Sequence, residues 1–184
     1  MTPTAAPPLL TADEFADRYA GESNIELVAG RPRKLPMPQS DHGYVCGVVA
    51  HHLTNHVRAA GVGRVFINDT FVRVGADPDE VRGADVAYMS YAKLPRGAKL
   101  PKVLDAPELV VEVKSPSDRH RQVLQKATEY LLAGVEVVVA VDPETESVAV
   151  FRPDEFPVRL HNGDELTLPD VLLGFAVPVR AFFE

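Results

Sequence analysis

The chain has 184 residues, 46% of them hydrophobic, with one cysteine, no tryptophan and a formal net charge of −7. That length suits one domain with a substantial core, while a lone Cys46 excludes an internal disulfide framework and suits a reducing compartment. No apolar run approaches the roughly 20 residues that span a bilayer, and the acidic balance argues against coating nucleic acid by charge alone, though a local basic face stays open.

The opening MTPTAAPPLL lacks the basic start and apolar centre of a secretory leader, so a cytoplasmic protein is expected. Residues 1–9, rich in Pro, Ala and Thr, read as a flexible lead-in, with 10–184 as a single domain. Thr11-Ala-Asp-Glu14 has capping-box spacing, and Leu10 and Phe15 are placed as a hydrophobic staple, which predicts a helix over about 12–20. Asn24 to Gly30 alternates apolar with polar and ends in a turn, with Arg31 to Leu35 as the return strand. Ser40 or Asp41 can cap a long helix running to about Ala60, stopped by Gly61, with Val45, Val48, Val49, Leu53 and Val57 at helical spacing. Cys46 lies within that apolar pattern and reads as a small buried residue.

Arg64–Val74 and Gly83–Met89 read as two strands joined by a polar turn at Ala76–Glu80. Residues 91–107 have no periodicity but carry Lys93, Arg96, Lys99 and Lys102, a dense positive run suited to phosphate contact. Glu108–Val113 reads as a buried strand, followed by a helix capped by Ser117-Asp118 and closed by Gly134, then a buried strand from Glu136 to Val141. Strand, helix and strand make a crossover unit with parallel strands. Ser147–Phe151 is an antiparallel neighbour, and Pro157–Leu160 and Glu165–Leu168 flank His161-Asn-Gly-Asp164, which predicts a hairpin. The tail, Phe175–Phe183, is apolar enough to pack on the core or on a second subunit. The elements add up to a mixed sheet flanked by helices, of the α/β or α+β class.

Two of these strands hold charges where apolar residues would be cheaper. Glu112 and Lys114 are two positions apart and share a strand face, and Asp85 sits in the preceding strand. Were those strands neighbours, the two carboxylates would meet as hard cations such as Mg²⁺ require, beside a lysine to steady developing charge. Phosphodiester hydrolysis is the reaction that such a site suits. His52 and His56 are one helical turn apart, but no third residue is spaced to complete a zinc site with them.

An Asp on one strand, then Glu-x-Lys on a later buried strand followed by a helix, resembles the PD-(D/E)XK nuclease superfamily. In detail the chain resembles the bacterial restriction-endonuclease-like family usually called the Uma family, over most of its length, from about Glu26 to Phe183. The pieces that carry the likeness are Ile-Glu-Leu-Val-Ala-Gly at 25–30, Pro-Gln-Ser-Asp-His42, Gly-Ala-Asp-Val-Ala-Tyr at 83–88, the run 106–118, Lys-Ala-Thr-Glu-Tyr-Leu-Leu-Ala-Gly-Val at 126–135, and Val-Asp-Pro at 141–143. The resemblance implies a restriction-endonuclease-like fold and a Mg²⁺-dependent endonuclease, with Mn²⁺ as a substitute, acting on DNA. It implies metal ligands at Asp85 and Glu112, a catalytic Lys114, and further site positions at Glu26, His42 and Lys126. The family's usual Pro before the Asp is Ala84 here. Many relatives lack the lysine two after the Glu and rely on the helix lysine; this chain has both, which leaves the acting one open.

Two rivals stay beside the nuclease: an inactive descendant of the fold that binds nucleic acid or protein, and a hydrolase of a smaller phosphate ester. A homodimer is expected, because a duplex has two strands to cut and the tail offers apolar surface.

Overall fold

The computed structural model describes residues 8–116 and 119–184; residues 1–7 of the expected lead-in and the Ser117-Asp118 cap lie outside them. Helix α1, Ala12–Arg18, has the expected capping box: Thr11 accepts from Glu14 N–H while Glu14 accepts from Thr11 N–H. Leu10 and Phe15 bury together in one small cluster. Strands β1 (Ile25–Val28) and β2 (Arg31–Lys34) form a hairpin whose turn residues Ala29 and Gly30 both have positive φ, 48° and 69°. That is the primed-turn geometry that matches strand twist.

Helix α2, Ser40–Ala60, buries Val45, Val49, Leu53 and Val57 as an i, i+4 stripe and ends at left-handed Gly61. Its cap position is Gln39, without a side-chain hydrogen bond, so the expected Ser40 or Asp41 cap is replaced and both residues lie inside the first turn. The long antiparallel pair β3 (Gly63–Gly75) and β4 (Glu80–Ser90) follows, then a two-residue β5 (Leu104–Asp105) parallel to β3 within the stretch that lacked periodicity. Strand β6 (Leu109–Val113), helix α3 (His120–Leu132) and β7 (Val137–Asp142) form the crossover with parallel strands, and β8 (Ser147–Phe151) runs antiparallel to β7.

The hairpin expected around His161–Asp164 does not form. Its first half, β9 (Val158–Leu160), pairs with β8 at the edge of the large sheet, and its second half, β10 (Glu165–Leu168), pairs with β11 (Leu172–Pro178) in a separate ribbon. A favourable turn sequence dictates the reversal but not the partner, and each half finds a better apolar surface elsewhere. Leu166 and Leu168 go under α2 with Phe175, Val177, Val179 and Phe182, so the C-terminal segment packs back onto its own core.

The large sheet runs β2-β1-β4-β6-β7-β8-β9, with β3 on the other edge of β4. α2 and the β10–β11 ribbon cover one face, and α3 covers the other through Ala127 and Tyr130. Phe182, 1% exposed, joins the tail to α2. Phe182→Ala should therefore cost about 3–5 kcal/mol in urea unfolding, against less than about 1 kcal/mol were the tail a loose appendage.

Candidate active site

Strand β4 has two edges. β3 takes one along nearly its whole length, while β1 meets the other edge at Val81 and β6 meets it at Val86–Tyr88. Between those contacts, Arg82 to Asp85 have no strand beside them on that edge, and there a cavity of about 300 Å³ opens. Glu26 comes to it from β1, Asp85 from β4, Glu112 from β6, Lys126 from α3 and His42 from the start of α2.

A bulge in β3 re-aims Asp85. Asn68 and Asp69, both at positive φ (70° and 54°), stand opposite it, since the register moves from Ile67↔Val86 to Thr70↔Ala84. The alternation of β4 breaks at this point: Val86 faces the α2 cluster while Ala84, two residues away, faces the α3 cluster. A Cβ on Gly83 would lie 3.2 Å from the Asp69 Cβ, so the strand and the bulge approach closely here. Asp85 Oδ2 accepts the Val113 N–H at 2.6 Å, a side-chain bond at the point where the β4–β6 ladder has ended.

Glu112, 8% exposed, accepts from Tyr130 Oη at 2.7 Å and from Lys126 Nζ at 2.8 Å. Burial raises its pKa from an ordinary 4.5 to about 7, with the Lys126 charge opposing and the Asp85 charge adding to the rise. Burial would lower Lys126, but the Glu112 and Glu26 carboxylates outweigh it and hold the ammonium well above its ordinary value. Glu26 is 2% exposed; Arg82 reaches its Oε2 at 2.6 Å, and Lys126 stands 3.4 Å from its Oε1, which has no hydrogen bond. Arg82 in turn reaches Glu129 of α3 at 2.7 Å. The chain of charges Glu129–Arg82–Glu26–Lys126–Glu112 thus ties α3 to three strands.

His42 Nε2 stands 3.3 Å from Asp85 Oδ2; burial would lower the imidazole, yet Asp85 raises it overall. Cys46 Sγ is 3.5 Å from His42 Nδ1, and burial pushes the thiol pKa up strongly. Among the described residues, His42, Cys46 and Asp85 form a compact trio with ligand atoms within 4.8 Å of one another. Asp85 and Glu112 also line the cavity, and their carboxylate oxygens are the donor type that a hard divalent cation takes.

The chain matches, over residues 12–180, the family described as "Putative restriction endonuclease", Uma2. The chain belongs to that family. Among solved structures it is similar to a putative nuclease of the DUF820 group from Anabaena variabilis, at 20% identity and a TM-score of 0.81, covering 96% of this chain and 98% of that one. That likeness carries the fold. Among curated proteins, none is significantly similar to the chain.

Within this Uma2 chain the two candidate lysines part company. Lys114 lies just past the end of β6, on the cavity lining, with its ammonium 3.1 Å from Asp142 and 3.0 Å from Glu144, the turn between β7 and β8. The same-face pairing of Glu112 with Lys114 that alternation suggests is replaced by the contact with Lys126. The basic stretch of the 91–107 segment is not on the cavity lining. Lys93 bonds the Ala106 carbonyl and Glu136, Arg96 stacks on Tyr91 and bonds the Gly61 carbonyl, and Lys102 pairs with Asp17, while Lys99 is exposed. His52 and His56 lie edge-on to Phe182 and Phe175.

Arg82 and the hydroxyl of Tyr130 are the site groups that sequence reasoning missed. Tyr130 is one turn from Lys126, a spacing that could have flagged it, and Arg82 would have stood out had β4 been started at Glu80.

The raised Glu112 pKa has a definite sign. The folded chain keeps a proton that the unfolded chain releases, so this group favours folding below about pH 4.5, and the advantage is lost as pH rises to about 7. In chelator, urea midpoints should fall across that window more steeply for the parent than for Glu112→Gln; parallel curves would overturn this. Arg82→Met, which takes the hydrogen-bonded cation from buried Glu26 and from Glu129, should cost about 3–5 kcal/mol, and adding Glu26→Gln should recover part of it.

Proposed function

We propose that this protein is a metal-dependent endodeoxyribonuclease that hydrolyses DNA phosphodiester bonds. The observation that carries the reading is the convergence of Asp85, Glu112 and Lys126, from two strands and a helix, on one cavity in a chain of a restriction-endonuclease family. Asp85 and Glu112 would hold Mg²⁺ or Mn²⁺; such an ion polarises a phosphoryl oxygen and lowers the pKa of bound water.

The remaining roles follow from this chain's own groups. Lys126 stays an ammonium, so it serves as a donor that steadies negative charge growing on the phosphoryl oxygens, not as a base. Tyr130 and Lys126 orient the Glu112 carboxylate, and the Val113 N–H and His42 orient Asp85. Glu26 and Arg82 are positioning residues that act through Lys126. We assign the catalytic lysine to position 126 and give Lys114 a supporting role on the cavity wall. A cytoplasmic homodimer, with one cavity for each strand of a duplex, completes the proposal.

The test is cleavage of plasmid and single-stranded DNA with Mg²⁺ or Mn²⁺. Asp85→Ala, Glu112→Ala and Lys126→Ala should each lose roughly 100-fold or more, and Lys114→Ala less than about tenfold. A parent protein that cuts neither substrate sinks the reading, and a Lys114 variant weaker than the Lys126 variant reverses the lysine assignment. Binding with a flat salt dependence would point instead to a smaller phosphate ester.

A further inference from the structure

Strand β2 is the outermost strand on its side of the large sheet, and all four of its residues, Arg31–Lys34, are exposed. Its register with β1 sets Arg33 opposite Glu26 and Arg31 opposite Val28. Residues opposite one another in a pair share a face, and so do residues two apart in a strand. Arg33 therefore lies on the face that carries Glu26 into the cavity, and Arg31 continues the same row outward. Arg33 also lines the cavity rim, with Leu35 and Pro36 beside it.

The cations around this cavity differ in one respect. Four Lys or Arg residues line it: Arg33, Arg82, Lys114 and Lys126. Three are neutralised by carboxylates: Arg82 by Glu26 and Glu129, Lys114 by Asp142 and Glu144, and Lys126 by Glu112 and Glu26. Lys34, next along β2, is paired with Glu22 at 3.1 Å. Among the described residues, Arg31 and Arg33 have no ion-pair partner, so their guanidiniums are the charge left to receive an anion here. Basic side chains often serve only to keep an edge strand from pairing. Pro32 already removes a donor from this edge, and protecting it would not require an arginine on the cavity face.

We infer that Arg31 and Arg33 of β2 bind the phosphate backbone of the DNA strand entering the cavity, whose lining the cations of the 91–107 segment do not join. Two residues along a strand advance about 6.6 Å, so the two guanidiniums can serve successive phosphates of one chain, each as a two-pronged donor. Contacts to phosphate set the position of the strand and not its sequence. The inference rests on the nuclease reading and adds to it where the strand enters.

The experiment compares the parent with the Arg31→Ala/Arg33→Ala double variant, first in DNA binding over a salt series with Ca²⁺ in place of Mg²⁺. Both residues are exposed, so thermal unfolding of the variant should match the parent. The plot of log affinity against log salt should lose about 1.5 to 2 of its slope, as expected for two phosphates released. In Mg²⁺, cutting at low DNA concentration should fall roughly tenfold while the rate at saturating DNA stays within about twofold, the pattern of lost uniform binding. Equal salt slopes and equal kcat/KM overturn the inference while leaving the nuclease reading intact, because the parent still cuts. A parent that neither binds nor cuts DNA overturns both.

Discussion

Everything at the cavity depends on keeping two carboxylates, Glu26 and Glu112, out of water. Each is less than a tenth exposed, and an isolated carboxylate at such a position would cost several kcal/mol unless it stayed protonated or found a cation. The chain supplies both remedies. Lys126 lies between the two acids, Arg82 holds Glu26 from the other side, and Tyr130 donates to Glu112, whose pKa rises to about 7 even so. Buried pairs of this kind add little net stability compared with an apolar core, but they are unforgiving of displacement. Here they fix the turn of α3 that faces the sheet, because Lys126, Glu129 and Tyr130 all have partners on β1, β4 or β6.

The opening itself follows from how strand edges are shared. β4 offers one edge to both β1 and β6, and neither covers Arg82 to Asp85. A continuous ladder there would have sealed the site. The bulge at Asn68 and Asp69 turns Asp85 at the same place, and those residue types tolerate left-handed backbone at modest cost. Asp85 then replaces a missing ladder bond with its own carboxylate on the Val113 N–H. Uncovered edge, bulge and side-chain bond are thus one arrangement, which holds Asp85 and Glu112 on adjacent strands while leaving their cavity open.

What the sequence disclosed follows the range of the interactions. The Thr11–Glu14 box, the α2 stripe ending at Gly61 and the β6–α3–β7 crossover rest on contacts within a turn or on uninterrupted apolar runs, and all are legible. His161-Asn-Gly-Asp164 signalled a reversal, but the partners of β9 and β10 are decided by distant surfaces, β8 in one case and β11 under α2 in the other. The charges around the site follow the same rule. Strand alternation set Lys114 beside Glu112, but a helix one layer away delivers Lys126 to that carboxylate, and spacing along a strand carries no information about a facing helix. Arg82 was passed over because the expected strand began at Gly83, and its partners, Glu26 and Glu129, come from β1 and α3.

The exchange of lysines bears on chemistry as well as on placement. Lys114 pairs with Asp142 and Glu144, neither of which lines the cavity. Lys126 is instead held between two carboxylates, so its ammonium is fixed in position and in charge. Under the nuclease reading that makes it a preorganised donor, which need not reorient when negative charge develops on a phosphoryl oxygen. Glu112, its pKa raised to about 7 by burial, is a group in this cavity whose proton content changes near neutrality. A cation entering beside it would favour the ionised form and displace that proton, so occupancy and ionisation are coupled through one carboxylate. Lys114 ties the end of β7 and the turn after it to the end of β6 through Asp142 and Glu144, beside Val113 on the cavity wall.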